Sequence, residues 1–152
     1  MIGKLFEFLE IDAETRASAL VLSDLLTPHF EDIIEGFYSK VQAFDISPHV
    51  TDQAIEMLKQ KHKRHSSALF HSQFQEEYFA SIRRIGIRHR DVALSPKWYV
   101  AGYMKLKLAF IEVIIRSDYS IVTKGQLVKT LEKYIAIDMA LALSTYDAVI
   151  VD

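Results

Sequence analysis

Apolar residues recur at intervals of three and four along most of this chain, the spacing that lines up side chains on one face of an α-helix. One such stripe runs through Tyr78, Ile82, Ile85, His89 and Val92. No Asn-Gly or Asp-Gly pair marks a β-hairpin, and each of the three prolines follows Ser or Thr, as is typical of a helix start. These pairs are Thr27-Pro28, Ser47-Pro48 and Ser95-Pro96. The pattern predicts an all-α protein.

Six helices are predicted, over residues 13–25, 28–43, 51–70, 73–92, 96–117 and 123–149. Thr123 and Gln126 have the spacing of a capping box, which would open the last of them. No internal repeat, low-complexity tract or flexible linker interrupts the series.

Histidines occur inside two of the apolar stripes, where a neutral imidazole is a Lewis base. His89 lies in the stripe described above, and Gly86, one turn before it, would let a flat group approach the backbone. His62 and His65 share a second stripe with aliphatic residues. Tyr38 lies beside the inward face of the second helix, so three helices present Tyr38, His62 and His89 toward a common interior.

The last two helices are apolar nearly all round, which indicates burial on more than one side. A second copy of the chain is the simplest partner for the second side. The sequence therefore predicts a homodimer formed through these two helices. Ile137 and Leu141 are expected to be among the residues that face outward.

Composition narrows the classes of function. With 152 residues, half of them hydrophobic, the chain is expected to form one domain over residues 1–152. The net charge of −2 gives no argument for nucleic acid or a membrane surface. The absence of cysteine excludes disulfides, thiolate zinc sites and covalently attached c-type haem. No membrane span or signal peptide is apparent, so a cytoplasmic location without membrane insertion is predicted.

On residue chemistry alone, several interpretations stay open. A single histidine in an apolar stripe is most often a hydrogen-bonded core residue, and a charged cluster is most often a solvated face. An enzyme that uses His62 and His65 as a metal or acid–base pair is a weaker alternative. The carboxylates considered for it, Asp91 and Glu56, fall outside the stripe. The residues alone therefore support a helical dimer with a histidine-lined interior.

Three segments resemble the globin-coupled sensor family, which is related to protoglobins. The run from His89 through Ser-Pro-Lys-Trp to Tyr99 is similar to the family's proximal-histidine segment. Phe37-Tyr38 resembles the family's B-helix, and Leu58-Lys-Gln with Lys63-Arg64-His65 resembles its E-helix. The three occur in the family's order, and the resemblance covers almost the whole chain.

The resemblance implies a globin fold, a b-type haem held by His89 and a Tyr38 hydroxyl that donates to bound dioxygen. It places Tyr99 near the proximal histidine and Leu58 near the distal face. The other residues expected to line the haem site are Phe37, Lys61, His65, Leu69, Ile82, Ile85, Gly86 and Trp98. The family's role implies a non-enzymatic sensor of redox state or of a gas, with dioxygen as the first candidate and carbon monoxide and nitric oxide as further ones. Such a sensor acts on a downstream diguanylate cyclase, kinase or chemotaxis domain.

The distal helix departs from the family's more usual pattern, because Lys61 and His62 stand where small or aliphatic residues are commoner. His62 lies one turn after Leu58 on the same face, so it is expected to ligate iron opposite His89 and to be displaced by an incoming gas. The alternative is a globin-like signalling or dimerisation module without haem, as occurs in bacterial stress signalling.

Overall fold

Within its described residues the chain folds into seven α-helices. The computed structural model describes residues 2–46, 50–71, 74–92 and 94–150, and of residues 146–150 it describes only the backbone. In chain order the helices are α1 Ile2–Phe8, α2 Ala13–Leu26, α3 Phe30–Ala43, α4 Asp52–His71, α5 Glu76–Asp91, α6 Pro96–Arg116 and α7 Ile121–Ile150. A short 3₁₀-helix, Thr27–His29, joins α2 to α3. The all-α prediction is confirmed, and no strand occurs in these residues.

Several helices begin where side chains take up backbone N–H groups that have no partner within the helix. The Asp12 carboxylate accepts a hydrogen bond from the Thr15 backbone N–H at 2.8 Å at the start of α2. The Thr51 hydroxyl accepts one from the Ala54 N–H at 3.1 Å at the start of α4. Ser95 is the N-cap of α6 with extended backbone geometry, and the proline after it opens the helix, as the Ser-Pro pair predicted. Unlike Asp12 and Thr51, Ser95 makes no capping hydrogen bond through its side chain.

Other helix starts differ from the sequence prediction. Helix α1 was not predicted, and Pro28 belongs to the 3₁₀ turn rather than to α3. The capping box at Thr123 is wrong: α7 begins earlier, and the Ser120 hydroxyl accepts the Thr123 backbone N–H at 3.2 Å. The predicted helix start at Ser47-Pro48 lies outside the described residues, as does the predicted first residue of α5, Gln73.

The start of α5 is determined by Phe74, whose φ of 58° is incompatible with a right-handed helix. A left-handed backbone costs a bulky residue ~1–2 kcal/mol. Packing of the Phe74 ring in the core offsets this cost. The ring centroid lies 4.8 Å from that of Phe6 and 4.7 Å from that of Tyr134. Helix α5 therefore begins after this residue, at Glu76.

Helix α7 lies at the centre of the fold and packs against α2, α5 and α6. Its buried residues are Leu127, Thr130, Leu131, Tyr134, Ile135, Ile137, Asp138 and Ala142. One chain therefore already covers most of the apolar sides of α7. The expectation that Ile137 faces outward is wrong, because its side chain is 0% exposed, whereas Leu141 is half-buried.

Helices α5 and α7 approach each other closely at Gly86. A Cβ atom placed on Gly86 would lie 2.3 Å from the Thr145 hydroxyl oxygen and 2.7 Å from the Ala142 carbonyl oxygen. The space that the absent side chain leaves at this position is therefore taken by the Thr145 side chain and the backbone of α7. The glycine is needed for helix packing.

None of the described helices is both long enough and apolar enough to span a lipid bilayer.

Candidate functional site

Tyr38 of α3 and His62 of α4 meet in the interior between their helices. The Tyr38 hydroxyl lies 3.2 Å from His62 Nδ1, a hydrogen-bonding distance. The Phe37 ring packs edge-on against both side chains, with centroid distances of 5.1 Å to Tyr38 and 5.8 Å to His62. Since Nδ1 is taken up by Tyr38, Nε2 is the nitrogen of His62 that stays open to a further partner.

The ring of His89, on α5, makes no hydrogen bond to any described residue. Its Nδ1 atom is buried and has no hydrogen-bond partner. The ring packs against Tyr99 of α6, with centroids 5.1 Å apart and the planes tilted by 52°. A buried, unpaired polar atom costs ~1–3 kcal/mol, so native proteins retain few of them. An unpaired imidazole in the interior therefore calls for a functional explanation.

Burial keeps these histidines neutral. It lowers the pKa of His62 to about 4. Repulsion from His65 and His89 acts in the same direction, and attraction to Asp138 acts against it. Burial also lowers the pKa of His89 to about 4, and repulsion from His65 adds to the effect. Burial raises the pKa of Tyr38 to about 12, so its phenol stays protonated. At neutral pH the site therefore offers two uncharged nitrogen bases and one hydroxyl donor.

The third histidine of the predicted site, His65, is occupied in a separate polar cluster. Its Nε2 atom lies 2.8 Å and 3.1 Å from the two carboxylate oxygens of Asp138, and its Nδ1 atom lies 3.3 Å from the Ser81 hydroxyl. The Tyr103 hydroxyl donates to Asp138 at 2.6 Å, and the Tyr78 hydroxyl donates to the same carboxylate. His65 is therefore held by protein atoms on both ring nitrogens.

Asp138 is the residue that sequence reasoning missed. Asp91 and Glu56 are the carboxylates that the sequence suggested near the histidines, whereas Asp138 lies 73 positions after His65. An acidic residue at an otherwise apolar position of the last helix is the signal that could have found it.

The charge on Asp138 is stabilised within the core. Burial pushes the pKa of Asp138 upward, but His65 and the donated hydrogen bonds outweigh it, so the pKa lies below its ordinary value. Tyr78 and Tyr103 complete the cluster, and His65 is buried within it. This arrangement gives no support to the alternative of an enzyme that uses His62 and His65 as a metal or acid–base pair. Among the described residues, no three His, Asp or Glu side chains are grouped to hold a metal ion by themselves.

The remaining predicted site residues have varied surroundings. Leu69 and Ile82 are buried in the apolar core, whereas Leu58 and Ile85 are half-buried. Lys61 is exposed to solvent, and the Trp98 side chain is 42% exposed. A separate cavity of about 410 Å³ lies between α1, α5 and α7 and includes Ile82 but neither His62 nor His89.

Comparison with known proteins identifies the family. A family model described as Protoglobin matches residues 1–149. The globin domain of the Geobacter sulfurreducens globin-coupled sensor has a TM-score of 0.81 to this chain at 17% identity, and the alignment covers 95% of this chain and 96% of that one.

Two crystal structures of the globin domain of E. coli DosC are similar as well. The ferric form has a TM-score of 0.78 at 20% identity, and the ferrous form has a TM-score of 0.75 at 22% identity. Each alignment covers 95% of this chain and 98% of the other. The seven helices therefore form a globin fold, and the resemblance to globin-coupled sensors is confirmed. Because the family model extends over nearly the whole sequence, the chain belongs to the Protoglobin family.

Proposed function

We propose that this chain is a haem-based sensor domain for a gas, most directly dioxygen, or for redox state, with His89 as the proximal ligand of a b-type haem. The observation that carries the proposal is the His89 imidazole, which is neutral, interior and without a hydrogen bond to any described residue. When bound, the haem supplies an iron centre that takes a gas ligand or changes oxidation state. Dioxygen is the expected ligand, with carbon monoxide and nitric oxide as further candidates.

The residues around His89 and His62 fit such a group. His89 needs no proton removed at neutral pH to act as a ligand, because burial already keeps it neutral. Packing against Tyr99 restricts the orientation of its ring. Phe37, Leu58 and Ile85 offer apolar surface of the kind that surrounds a largely apolar cofactor.

His62 is proposed as a second, displaceable ligand. An imidazole that ligates a metal through one nitrogen usually donates its other N–H to a hydrogen-bond acceptor. The Tyr38 hydroxyl oxygen, 3.2 Å from His62 Nδ1, is positioned to accept that proton. In this tautomer His62 Nε2 keeps its lone pair for the iron. With His62 as a ligand, a gas would have to compete with it for the iron, and the Tyr38 hydroxyl, once free of His62, would be able to donate a hydrogen bond to the gas.

The same chain is proposed to act as one domain over residues 1–152 and to form a homodimer. Two large apolar residues on α6, Leu108 and Ile115, are 64% and 55% exposed and lie seven positions apart, on one face of the helix. Ile121 and Val122, at the start of α7, are 85% and 70% exposed and extend the apolar surface. The downstream effector domain and the cytoplasmic location remain predictions from the sequence.

Haem binding by His89 is tested by absorption spectroscopy of the purified chain. The wild-type protein should show a Soret band, and His89→Ala should weaken or shift it because the proximal ligand is lost. His29→Ala removes an exposed histidine and should leave the band unchanged. A wild-type chain that takes up no haem would favour the alternative, a haem-free globin-like signalling or dimerisation module.

Ligation by His62 is tested on the ferrous protein. The wild type should be six-coordinate and low-spin, and His62→Leu should be five-coordinate and high-spin. An internal ligand leaves only a fraction of the iron sites open, and the apparent rate of gas association falls with that fraction. His62→Leu should therefore bind carbon monoxide about tenfold faster or more. Lys61→Leu alters the exposed neighbour and should behave as wild type. A low-spin His62→Leu spectrum would assign the ligand role to Lys61 or His65.

The role of Tyr38 is tested by ligand dissociation, which begins from the state in which His62 is already displaced. Tyr38→Phe should speed dioxygen release several-fold, because a hydrogen bond worth ~1 kcal/mol or more is lost. Carbon monoxide is a poor acceptor, so its release should change less. Tyr119→Phe, at an exposed position on the chain, serves as the control. Equal changes for both gases would mean that Tyr38 only packs.

The dimer is tested by light scattering at micromolar concentration. Leu108→Glu combined with Ile115→Glu should raise the dimer dissociation constant at least ~100-fold, since each protomer would bring two carboxylates into the interface and desolvate them there. Phe44→Glu introduces the same charge at an apolar residue that is 68% exposed but lies at the end of α3. This control should remain dimeric. A monomeric wild type would show that the exposed face of α6 has another partner or none.

A further inference from the structure

Asp138 joins four helices, and neither the two proposed iron ligands nor Tyr38 touches it. It lies on α7 with 2% of its surface exposed and bonds to His65 of α4, Tyr78 of α5 and Tyr103 of α6. Within the described part of the chain its one ion pair is with His65. Neither Lys nor Arg neutralises it there.

Such a cluster tolerates little relative movement of its members. A buried carboxylate is strongly destabilising unless each of its oxygens is hydrogen-bonded, and losing one donor restores much of that cost. Hydrogen bonds in a low-dielectric interior also reinforce one another. The four helices that meet at Asp138 are therefore held in one relative arrangement.

The position of His65 on α4 connects this cluster to the candidate site. His65 follows His62 by three residues, about one helical turn, so holding His65 in place restricts rotation of the helix at His62. Its other ring nitrogen lies 3.3 Å from the Ser81 hydroxyl of α5, the helix that carries His89. The cluster thus ties the helix that bears His62 both to the helix that bears His89 and to α7.

We propose that Asp138 is a positioning residue that acts through His65 to hold α4 in the orientation that presents His62 to the iron. This inference rests on the proposed function above. Release of His62 requires α4 to move, and that movement works against the bonds between His65 and Asp138. A gas that displaces His62 therefore disturbs contacts on α6 and α7, the two helices assigned to the dimer.

The first test measures carbon monoxide association with the ferrous, haem-loaded full chain. Asp138→Asn leaves a single acceptor oxygen in place of two, so α4 is held less firmly and association should become about tenfold faster. In the His62→Leu background the same change should have no effect, because no internal ligand remains to be displaced. Glu132→Gln is the matched control: this carboxylate also lies on α7 and bonds to α6, through Lys107 at 3.1 Å, but does not reach α4.

A pair of substitutions at His65 separates positioning from packing. The amide nitrogen of Gln reaches nearly as far as His65 Nε2 and can still donate to Asp138, whereas the Asn side chain is one methylene shorter. His65→Asn should therefore reproduce the faster association, and His65→Gln should restore a rate close to that of wild type. His65→Asn also replaces Asp138→Asn as the test variant if the latter does not fold.

Two results would overturn the inference for a six-coordinate wild type. One is a lower melting temperature in Asp138→Asn with carbon monoxide association equal to that of Glu132→Gln, which would make Asp138 a residue of the fold alone. The other is an equal acceleration with and without His62. A five-coordinate wild type would also overturn the inference, while ligation by His89 would stand.

A chain that takes up no haem would count against the proposed function but would still allow a decision on this inference. In that case the ¹⁵N signals of the His62 ring report its hydrogen bond to Tyr38. Asp138→Asn should shift these signals, and Glu132→Gln should not. Unchanged His62 signals in Asp138→Asn would show that Asp138 does not position His62.

Discussion

The burial of α7 is the constraint on which the rest of the structure depends. This helix of 30 residues has apolar positions on several sides, and α2, α5 and α6 cover them. The close approach of α5 is possible because Gly86 lacks a side chain where the α7 backbone passes. The placement of α5 in turn determines where His89 lies. The position of the candidate site is thus a consequence of how the last helix is buried.

Three interior histidines differ in how their ring nitrogens are satisfied. His65 uses both, against Asp138 and Ser81. His62 uses one, against Tyr38, and the Nδ1 atom of His89 is buried without a partner among the described residues. Because an unpaired buried nitrogen is costly, the degree of satisfaction separates a structural imidazole from those that remain available to a ligand. The same residue type therefore serves the fold at one position and the proposed chemistry at the other two.

The two sets of polar groups are adjacent but chemically distinct. The cluster at Asp138 contains a carboxylate whose charge is stabilised by its partners, whereas His62 and His89 are uncharged because burial opposes their protonation. A fixed negative charge suits a structural junction, since moving any donor away from it is unfavourable. Neutral nitrogen bases suit a reversible ligand, since no proton has to be lost before they bind.

Sequence alone determined the all-α class, the bodies of the six longer helices and the separation of Tyr38, His62 and His89 onto three of them. Those features depend on the spacing of apolar residues and on the positions of prolines, and both can be read from short stretches of sequence. Short segments that resemble globin-coupled sensors also indicated the family, which the family model and the similar structures confirm. Helix starts were less predictable: the φ of Phe74 follows from the ring's place in the core, not from its neighbours in the chain.

Only the tertiary structure decided which apolar faces the chain covers by itself. The sequence of α7 indicates burial on several sides but does not distinguish burial by a neighbouring helix from burial by a second copy of the chain. For this reason Ile137, which is buried within one chain, was expected to face outward. The same limit applies to polar partners. Asp138 bonds to His65 across 73 positions of sequence, and no local pattern joins two residues that far apart. Periodicity specifies the face on which a side chain lies, whereas its contacts depend on how distant helices pack.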